Sequence, residues 1–236
     1  MDFQSPLIEA TLLRRYKRFL ADVRLADGTE MTVHVANPGS MMGGLAEEGV
    51  RVWLTDSNNP KRKLRYSWEV VEVATGARVG VNTALPNKVV EEAIAAGQVP
   101  GLTGYETIRR EVKYGENSRI DLLLEAPDKP PCYVEVKSVT LSRSPGLAEF
   151  PDAKTSRGAK HLVELVGEVA KGNRAVMLYL VNRTDCDEVA IASDIDPAYN
   201  AGLEAALAAG VETLSVGVAI DEAGITVNRP ITRQWM

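Results

Sequence analysis

Ser118-Arg119-Ile120-Asp121 is followed, thirteen residues beyond its aspartate, by Val134-Glu135-Val136-Lys137. Residues two apart on a strand face the same side, so Glu135 and Lys137 project together while Val134 and Val136 face the core. Arg119-Ile120-Asp121-Leu122-Leu123-Leu124-Glu125 reads as a partner strand, and Ala126-Pro127-Asp128-Lys129-Pro130-Pro131 is turn chemistry. If the hairpin centres near Asp128, Asp121 stands directly opposite Glu135, and any register shifted by an even number keeps both on one face. Two carboxylates at cross-strand distance repel and destabilise a sheet. A bound divalent cation removes that penalty. Mg²⁺ takes one or two carboxylates and completes its octahedron with water and phosphate oxygens. Lys137 beside them can orient or deprotonate an attacking water, or neutralise charge developing in a transition state. This is how a metal-dependent nuclease presents two carboxylates and an amine to one phosphodiester.

A lone Glu-X-Lys is also an ordinary exposed strand face, and the chain contains its own control in Glu111-Val112-Lys113. The second copy differs in following an Asp-bearing strand and in its densely apolar flanks. If Tyr114 to Ser118 closes a hairpin around Glu116, Glu111 faces Asp121 as well. A register change of one residue turns it away.

With 236 residues, 45% of them hydrophobic, the chain can bury one large or two small cores. No segment approaches the roughly 20 apolar residues of a membrane helix, and Met1-Asp2-Phe3-Gln4-Ser5 is unlike a signal peptide, so a cytoplasmic protein without membrane contact is expected. Two cysteines, Cys132 and Cys186, and two histidines, His34 and His161, make neither a disulfide framework nor a zinc site. Cys132, at the start of an apolar strand, reads as a small core residue. No organic cofactor is expected.

The net charge of −5 runs against a simple nucleic-acid binder, but residues 1–84 carry eleven Lys/Arg against ten Asp/Glu, and 85–236 carry sixteen against twenty-two. The acidity belongs to the second part. In the first part bases cluster with aromatics, as Arg14, Arg15, Lys17 and Arg18 with Tyr16 and Phe19, and as Lys61, Arg62 and Lys63 near Tyr66. Cations track phosphates and rings stack on bases, a combination suited to single strands. Solvated surface charge reads the same way.

Residues 1–84 show short strands at Tyr16–Ala26 and Thr29–Val35, flanking the hairpin turn Asp27-Gly28, then at Val50–Thr55, Tyr66–Val73 and Arg78–Val81. Five strands in so small a module predict a closed barrel, an OB-fold or an SH3-like one. In residues 85–236, Asn87 is placed to cap a helix with Val89, Val90, Ala93 and Ile94 on its apolar face and Glu91 and Glu92 near its start. Two or three strands follow, then a loop at Ser142–Gly146 and a helix from about Ser156 to Lys171. The continuous apolar run Ala175–Val181 predicts a central strand, and a last helix near 197–209 leads to strands near 213–219 and 225–228. The whole is α/β in class, α+β overall, a barrel followed by an α/β domain.

Arg15-Tyr16-Lys17-Arg18-Phe19-Leu20-Ala21-Asp22, Lys61-Arg62-Lys63, Glu111 to Gly115, Ser118 to Asp121, Cys132 to Leu141, Phe150-Pro151-Asp152-Ala153 and Arg157-Gly158-Ala159-Lys160-His161 together resemble the sugar fermentation stimulation protein A family of bacteria and archaea. The match spans nearly the whole chain in the family's order. One departure is Asn37-Pro38-Gly39, where the family has Thr in the middle; proline removes a hydroxyl and a backbone donor. The resemblance implies an N-terminal OB-fold joined to a PD-(D/E)XK nuclease-like domain, sequence-nonspecific DNA binding and a regulatory part in sugar utilisation, notably of maltose. It maps the site onto Asp121, Glu135 and Lys137, with the Val136 carbonyl as a further ligand for Mg²⁺ or Mn²⁺. It also implies an acid from the first helix, here Glu91 or Glu92, and brings Arg157, Lys160 and His161 toward a phosphate. Lys160 and Glu164 equally suit a surface i,i+4 pair.

Two functions are compatible with these residues. One is DNA binding through the phosphate backbone by Arg14, Arg15, Lys17, Arg18, Lys61, Arg62 and Lys63. The other is Mg²⁺-dependent hydrolysis of DNA or RNA. A pure binder has no need of a carboxylate pair that repels phosphate, whereas fold analogy alone does not make an enzyme. Oligomeric state is left open.

Overall fold

The computed structural model describes residues 1–115 and 118–235. The first unit is a barrel of β1 (Ile8–Tyr16), β2 (Leu20–Leu25), β3 (Glu30–Val35), β4 (Arg51–Asp56) and β5 (Tyr66–Glu72), extended by β6 (Arg78–Gly80). The strands run in the order β3-β2-β1-β4-β5-β6, and parallel pairing of β3 with β5 closes the ring. This is the OB-fold arrangement of a five-stranded, partly open barrel. Its interior is apolar and centred on Trp68, with Leu12, Val23, Val33, Leu54 and Val71 around it. The sequence reading missed β1 as a separate strand. Lys17 and Arg18, with φ of 49° and 61°, form the turn between β1 and β2 rather than the start of one long strand.

Pro38 is accommodated because the turn does not use its nitrogen. The Gly39 N–H donates to Asn37 Oδ1 (2.8 Å), and Asn37 Nδ2 donates to the Val81 carbonyl (2.9 Å). A side chain on Gly39 would begin 2.9 Å from the Asp152 carboxylate.

The second unit begins with α1 (Pro86–Ala95). It is built on a six-stranded sheet of β7 (Thr107–Tyr114), β8 (Ser118–Ala126), β9 (Lys129–Val139), β12 (Arg174–Val181), β14 (Glu212–Ile220) and β15 (Ile225–Pro230), in the order β15-β14-β12-β9-β8-β7. The central strands β9, β12 and β14 are parallel. Helices α2 (Ser156–Ala170) and α3 (Pro197–Ala208) occupy the face opposite α1. On β12, Val176, Leu178 and Leu180 pack with α1 while Ala175, Met177, Tyr179 and Val181 pack with α2 and α3. Burial on both faces is why this segment reads as unbroken hydrophobicity.

A second, four-stranded sheet runs β10-β11-β13-β16, from β10 (Leu141–Ser144), β11 (Gly146–Phe150), β13 (Cys186–Ile191) and β16 (Thr232–Arg233). The expected loop at Ser142–Gly146 is therefore a hairpin, its turn made by Pro145 and Gly146 (φ 78°). Cys132 is fully buried, and burial pushes its thiol up to about 12, which leaves it an inert core group.

Trp53 and Val70, on the outer side of the barrel, join the α1 layer and dock the two units. Arg78 lies over the Trp53 ring, 4.7 Å from its centre. Hydrogen bonds to the Gly80 main chain reinforce this docking: Gly80 N–H donates to the Asn182 carbonyl (2.9 Å), and the Asn182 side-chain Nδ2 donates to the Gly80 carbonyl (2.9 Å). The other two tryptophans lie inside the barrel (Trp68) and against Tyr179 on the α2–α3 side (Trp235, rings 5.0 Å apart).

A β-carbon on Gly80 would stand 2.6 Å from the amide of Asn182, a side chain 1% exposed with nowhere to go. Gly80→Ala is therefore expected to destabilise the protein by about 1–3 kcal/mol through overpacking. The added Asn182→Ala should recover part of the loss, as a double-mutant cycle by chemical denaturation will read.

Candidate active site

The β8–β9 ladder pairs Leu122 with Val134, Leu123 with Tyr133 and Leu124 with Cys132, a register that places Asp121 level with Glu135. The last regular pair before the site is Leu122–Val134. There the Asp121 side chain intrudes: its Oδ2 accepts the Val136 N–H (2.8 Å), a donor that a continuing ladder would give to main chain. The N–H and C=O of one strand residue point to the same edge, so the Val136 carbonyl also faces Asp121.

Asp121 Oδ1 accepts from Asn87 Nδ2 (2.8 Å). Asn87 was expected as a helix cap; α1 instead starts one residue earlier, at Pro86, which frees the Asn87 side chain to reach the sheet. Burial, and then the charge of Glu135, push the Asp121 carboxyl up to about 6, against the opposing pull of the Val136 N–H and Asn87.

Glu135 is 2% exposed. Its Oε1 accepts from Lys137 Nζ (2.7 Å) and from His161 Nδ1, which comes from α2. Burial alone would raise its pKa, but the His161 hydrogen bond and the Lys137 charge hold it below the usual range. Arg157 Nε donates to His161 Nε2 (3.3 Å), which leaves Nδ1 as the ring nitrogen that meets Glu135. Among the described residues, Glu135 Oε2 is buried without a hydrogen-bond partner. So is the Tyr114 hydroxyl, whose pKa burial and the charges of Glu135, Glu164 and Asp121 raise, and so are both oxygens of Glu164. Lys160 Nζ lies 3.5 Å from Glu164 Oε1 but is half exposed.

The α2 helix that delivers His161 is anchored at its start. Thr155 caps it by accepting the Gly158 N–H, and the Thr155 N–H donates to Asp196, which itself caps α3.

The structure thus brings Asp121, Glu135, Lys137, Val136, His161 and Arg157 together. Three expected acids lie elsewhere. Glu91 pairs with Arg110 (3.6 Å) and Glu92 with the Met1 amine (2.9 Å), because Asn87 occupies the α1 position that reaches Asp121. Glu111 stands level with Asp121 but has φ of 52° and is exposed, so its side chain turns away. Glu116 and Asn117, on which the hairpin reading of that turn rested, lie outside the described residues.

Sequence reasoning missed Asn87, Tyr114 and Glu164 as members of the site. The His161–Glu164 spacing of one helical turn was the available sign for the last of them. Gly115 (φ 56°) lies so close to Glu164 that a β-carbon there would be 2.9 Å from its carboxylate.

A hard divalent ion fits the orphaned Glu135 oxygen, the Asp121 carboxylate and the Val136 carbonyl. Among the described residues no three His, Cys, Asp or Glu side chains gather as an ion-holding group on their own. Such a site suits an ion that keeps several waters, as Mg²⁺ does.

The two basic clusters fall at opposite ends of the barrel chain. Arg14 ion-pairs with Asp22 (2.8 Å) and stacks on Tyr16, while Lys17, Arg18 and Phe19 are exposed at the β1–β2 turn, Phe19 by 47%. Lys61, Arg62 and Lys63 lie in the β4–β5 loop. These two loops flank the oligonucleotide-binding face of OB-folds. Arg15, expected among the phosphate contacts, instead donates its guanidinium to the carbonyls of Arg18, Asn37 and Gly39 and braces the turn.

Residues 13–81 match the SfsA N-terminal OB domain, and residues 84–224 match the sugar fermentation stimulation protein RE domain. The chain is 61% identical over 231 residues to the sugar fermentation stimulation protein homolog of Rhodospirillum centenum, covering 98% of each. It is 57% identical over 227 residues to that of Ruegeria sp., covering 96% of this chain and 97% of the relative. Among solved structures it is similar to Pyrococcus furiosus SfsA in complex with Ca²⁺, with 28% identity and a TM-score of 0.89 over all of this chain and 98% of that one.

The raised Asp121 pKa has a stability consequence. A carboxyl that binds its proton more tightly folded than unfolded contributes stability at pH below about 4, the unfolded pKa, and loses it as pH rises through about 6. Metal-free Asp121→Asn should therefore be more stable than the parent above pH 6, by about 1–2 kcal/mol after the loss of one acceptor. Millimolar Mg²⁺ or Mn²⁺ should raise the Tm of the parent at pH 8, less so below pH 6, and should leave Asp121→Asn and Glu135→Gln nearly unmoved. Differential scanning fluorimetry across pH checks both.

Proposed function

The chain belongs to the sugar fermentation stimulation protein family, and from the geometry of its carboxylate site we propose that it binds nucleic acid by phosphate contacts and hydrolyses a phosphodiester bond with a divalent cation. The observation that carries this reading is the unpartnered, buried Oε2 of Glu135, level with Asp121 and two residues from Lys137. The Ca²⁺ complex of Pyrococcus furiosus SfsA supports a divalent cation at this fold. A buried carboxylate oxygen without a donor costs free energy unless a cation or proton meets it.

When bound, Mg²⁺ or Mn²⁺ would supply charge to polarise the scissile phosphate and acidify water. The chain's own residues do the rest. Asp121 and Glu135 would hold the ion, with the Val136 carbonyl between them. Asn87 and the Val136 N–H fix the Asp121 carboxylate, and His161 fixes that of Glu135. Lys137, anchored 2.7 Å from Glu135, places a positive charge where a pentavalent phosphorus would gain negative charge. Arg157, exposed and bonded to His161, extends the same positive line to the surface for a flanking phosphate. The barrel loops, with Lys17, Arg18, Lys61, Arg62 and Lys63, supply most of the affinity for DNA through phosphate contacts that carry no sequence information. A regulatory part in sugar utilisation, notably of maltose, fits this reading as an outcome of nucleic-acid binding.

Binding without cleavage is the second reading. It is favoured by the lack, among the described residues, of three clustered ligand side chains.

Purified protein incubated with single- and double-stranded DNA and RNA, in Mg²⁺, Mn²⁺ or EDTA, separates the two. Metal-dependent cleavage should fall about 10²-fold or more in Lys137→Ala and Asp121→Ala, while Lys137→Ala keeps most of its DNA affinity. Lys113→Ala, in the other Glu-X-Lys, should remain active. No cleavage by the parent on any substrate would leave binding alone.

Affinity itself should fall steeply with salt and vary little with sequence composition in duplex DNA. Reversing Lys61 and Lys63 to Glu should flatten the salt dependence by about two phosphate contacts, as anisotropy titrations at several salt concentrations will measure.

A further inference from the structure

A second recess, apart from the carboxylate site, opens where the outside of the barrel meets the N-terminal segment and the first turn of α1. It encloses roughly 390 Å³, and Phe3, His34, Thr55, Arg62, Glu69 and Lys88 contribute to its walls. This is within the size range of small-molecule sites.

Glu69, 4% exposed, projects outward from β5 into this recess. Thr55 Oγ1 donates to its Oε1 (2.6 Å) and Asn82 Nδ2 to its Oε2 (2.7 Å). Both partners are neutral. Each oxygen of a carboxylate accepts about two hydrogen bonds, so the fixed Glu69 carboxylate retains a pair of parallel acceptor positions. Burial raises its pKa, the sign of a charge short of compensation.

The rim has the opposite character. Arg62 reaches His34 Nδ1 (3.3 Å), and burial together with the Arg62 charge lowers the His34 pKa, so the guanidinium rests against an imidazole and not against a carboxylate. Lys88 stands opposite on α1, half exposed and only 3.7 Å from Glu92. Phe3, half-buried, gives an aromatic wall.

A rigid two-acceptor floor, an aromatic wall and a cationic rim fit a flat heterocycle that carries two adjacent N–H donors and a linked phosphate. Among the four bases only guanine sets two donors side by side on its pairing edge, at N1 and the 2-amino group. Adenine and cytosine place one amino donor beside an acceptor, and thymine places one N–H between two carbonyls. A duplex hides that edge, so the base must be unpaired. We propose that the recess binds one unpaired guanine nucleotide of a single strand, its pairing edge on Glu69 and its phosphate on Arg62 and Lys88. This rests on the nucleic-acid reading given above and adds a base preference to it. The placement suits a strand running through the molecule: Arg62 belongs to the basic β4–β5 loop, and Lys88 adjoins Asn87, which holds Asp121.

The test is anisotropy binding, in EDTA, of labelled dT12, the same strand with one central guanine, and the same strand with inosine in its place. Guanine should tighten binding to the parent about tenfold. Inosine, lacking the 2-amino donor, should recover little of that gain. In Glu69→Gln the guanine-to-thymine affinity ratio should fall to about one. Equal binding of all three strands by the parent, or a guanine gain that inosine reproduces in full or that survives in Glu69→Gln, overturns the proposal while nucleic-acid binding stands. If none of the strands binds at low salt, the underlying reading fails and the proposal with it. The inosine comparison uses unaltered protein and is independent of how well the variant folds.

Discussion

The hydrogen bond from the Val136 N–H to Asp121 is the contact around which the second unit is arranged. By accepting that donor, the aspartate ends the β8–β9 ladder and holds its own carboxylate beside that of Glu135. Burial raises the pKa of Asp121, and repulsion between the two acids adds to the rise. Neighbouring groups hold the pair in place: Asn87 from α1 grips one carboxylate, His161 from α2 and Lys137 from β9 grip the other. A sheet selected for stability alone would carry a hydrophobic or neutral pair at these positions. Local strain of this kind is where function is placed in a fold otherwise consistent at every level.

The barrel is held to this site with little freedom. Only Val81 to Leu85 separate β6 from α1, and the Gly80–Asn182 bonds and the Trp53–α1 packing fix both sides of that short passage. Asn82, Ala84 and Leu85 of the passage line the recess that holds Glu69. The first turn of α1 then presents Asn87 to the carboxylates and Lys88 to the barrel side. Residues adjacent in sequence therefore connect the two units chemically as well as covalently.

The register of the central hairpin was legible because a strand has period two and because Pro127 and Asp128 mark a turn whose centre sets the pairing. The buried strand Arg174–Val181 was legible from its unbroken apolar run, α2 from its apolar stripe ended by Gly172, and α3 from the span that Gly210 closes. The strand Ile8–Tyr16 was not, since its outward positions carry Glu9, Thr11 and Arg14 and it runs into a turn made by two basic residues in left-handed conformation. The hairpin at Leu141–Phe150 hid behind serine, proline and glycine, and its pairing partner β13 is distant in sequence. In the carboxylate cluster, the juxtaposition of Asp121 with Glu135 was readable by spacing. Asn87 was not, because its partner lies 34 residues away and its local context is that of a helix start. Arg15 was misread as a phosphate ligand because charge is visible in sequence, whereas three carbonyls converging on a guanidinium are visible only in three dimensions.

The three tryptophans are distributed one to each packed region: Trp68 inside the barrel, Trp53 at the junction beneath Arg78, and Trp235 against Tyr179 on the α2–α3 side. Each indole therefore has different neighbours: apolar barrel side chains, a guanidinium or a phenol ring. Variants retaining a single tryptophan would show optically whether barrel, junction and helical layer loosen together or in sequence.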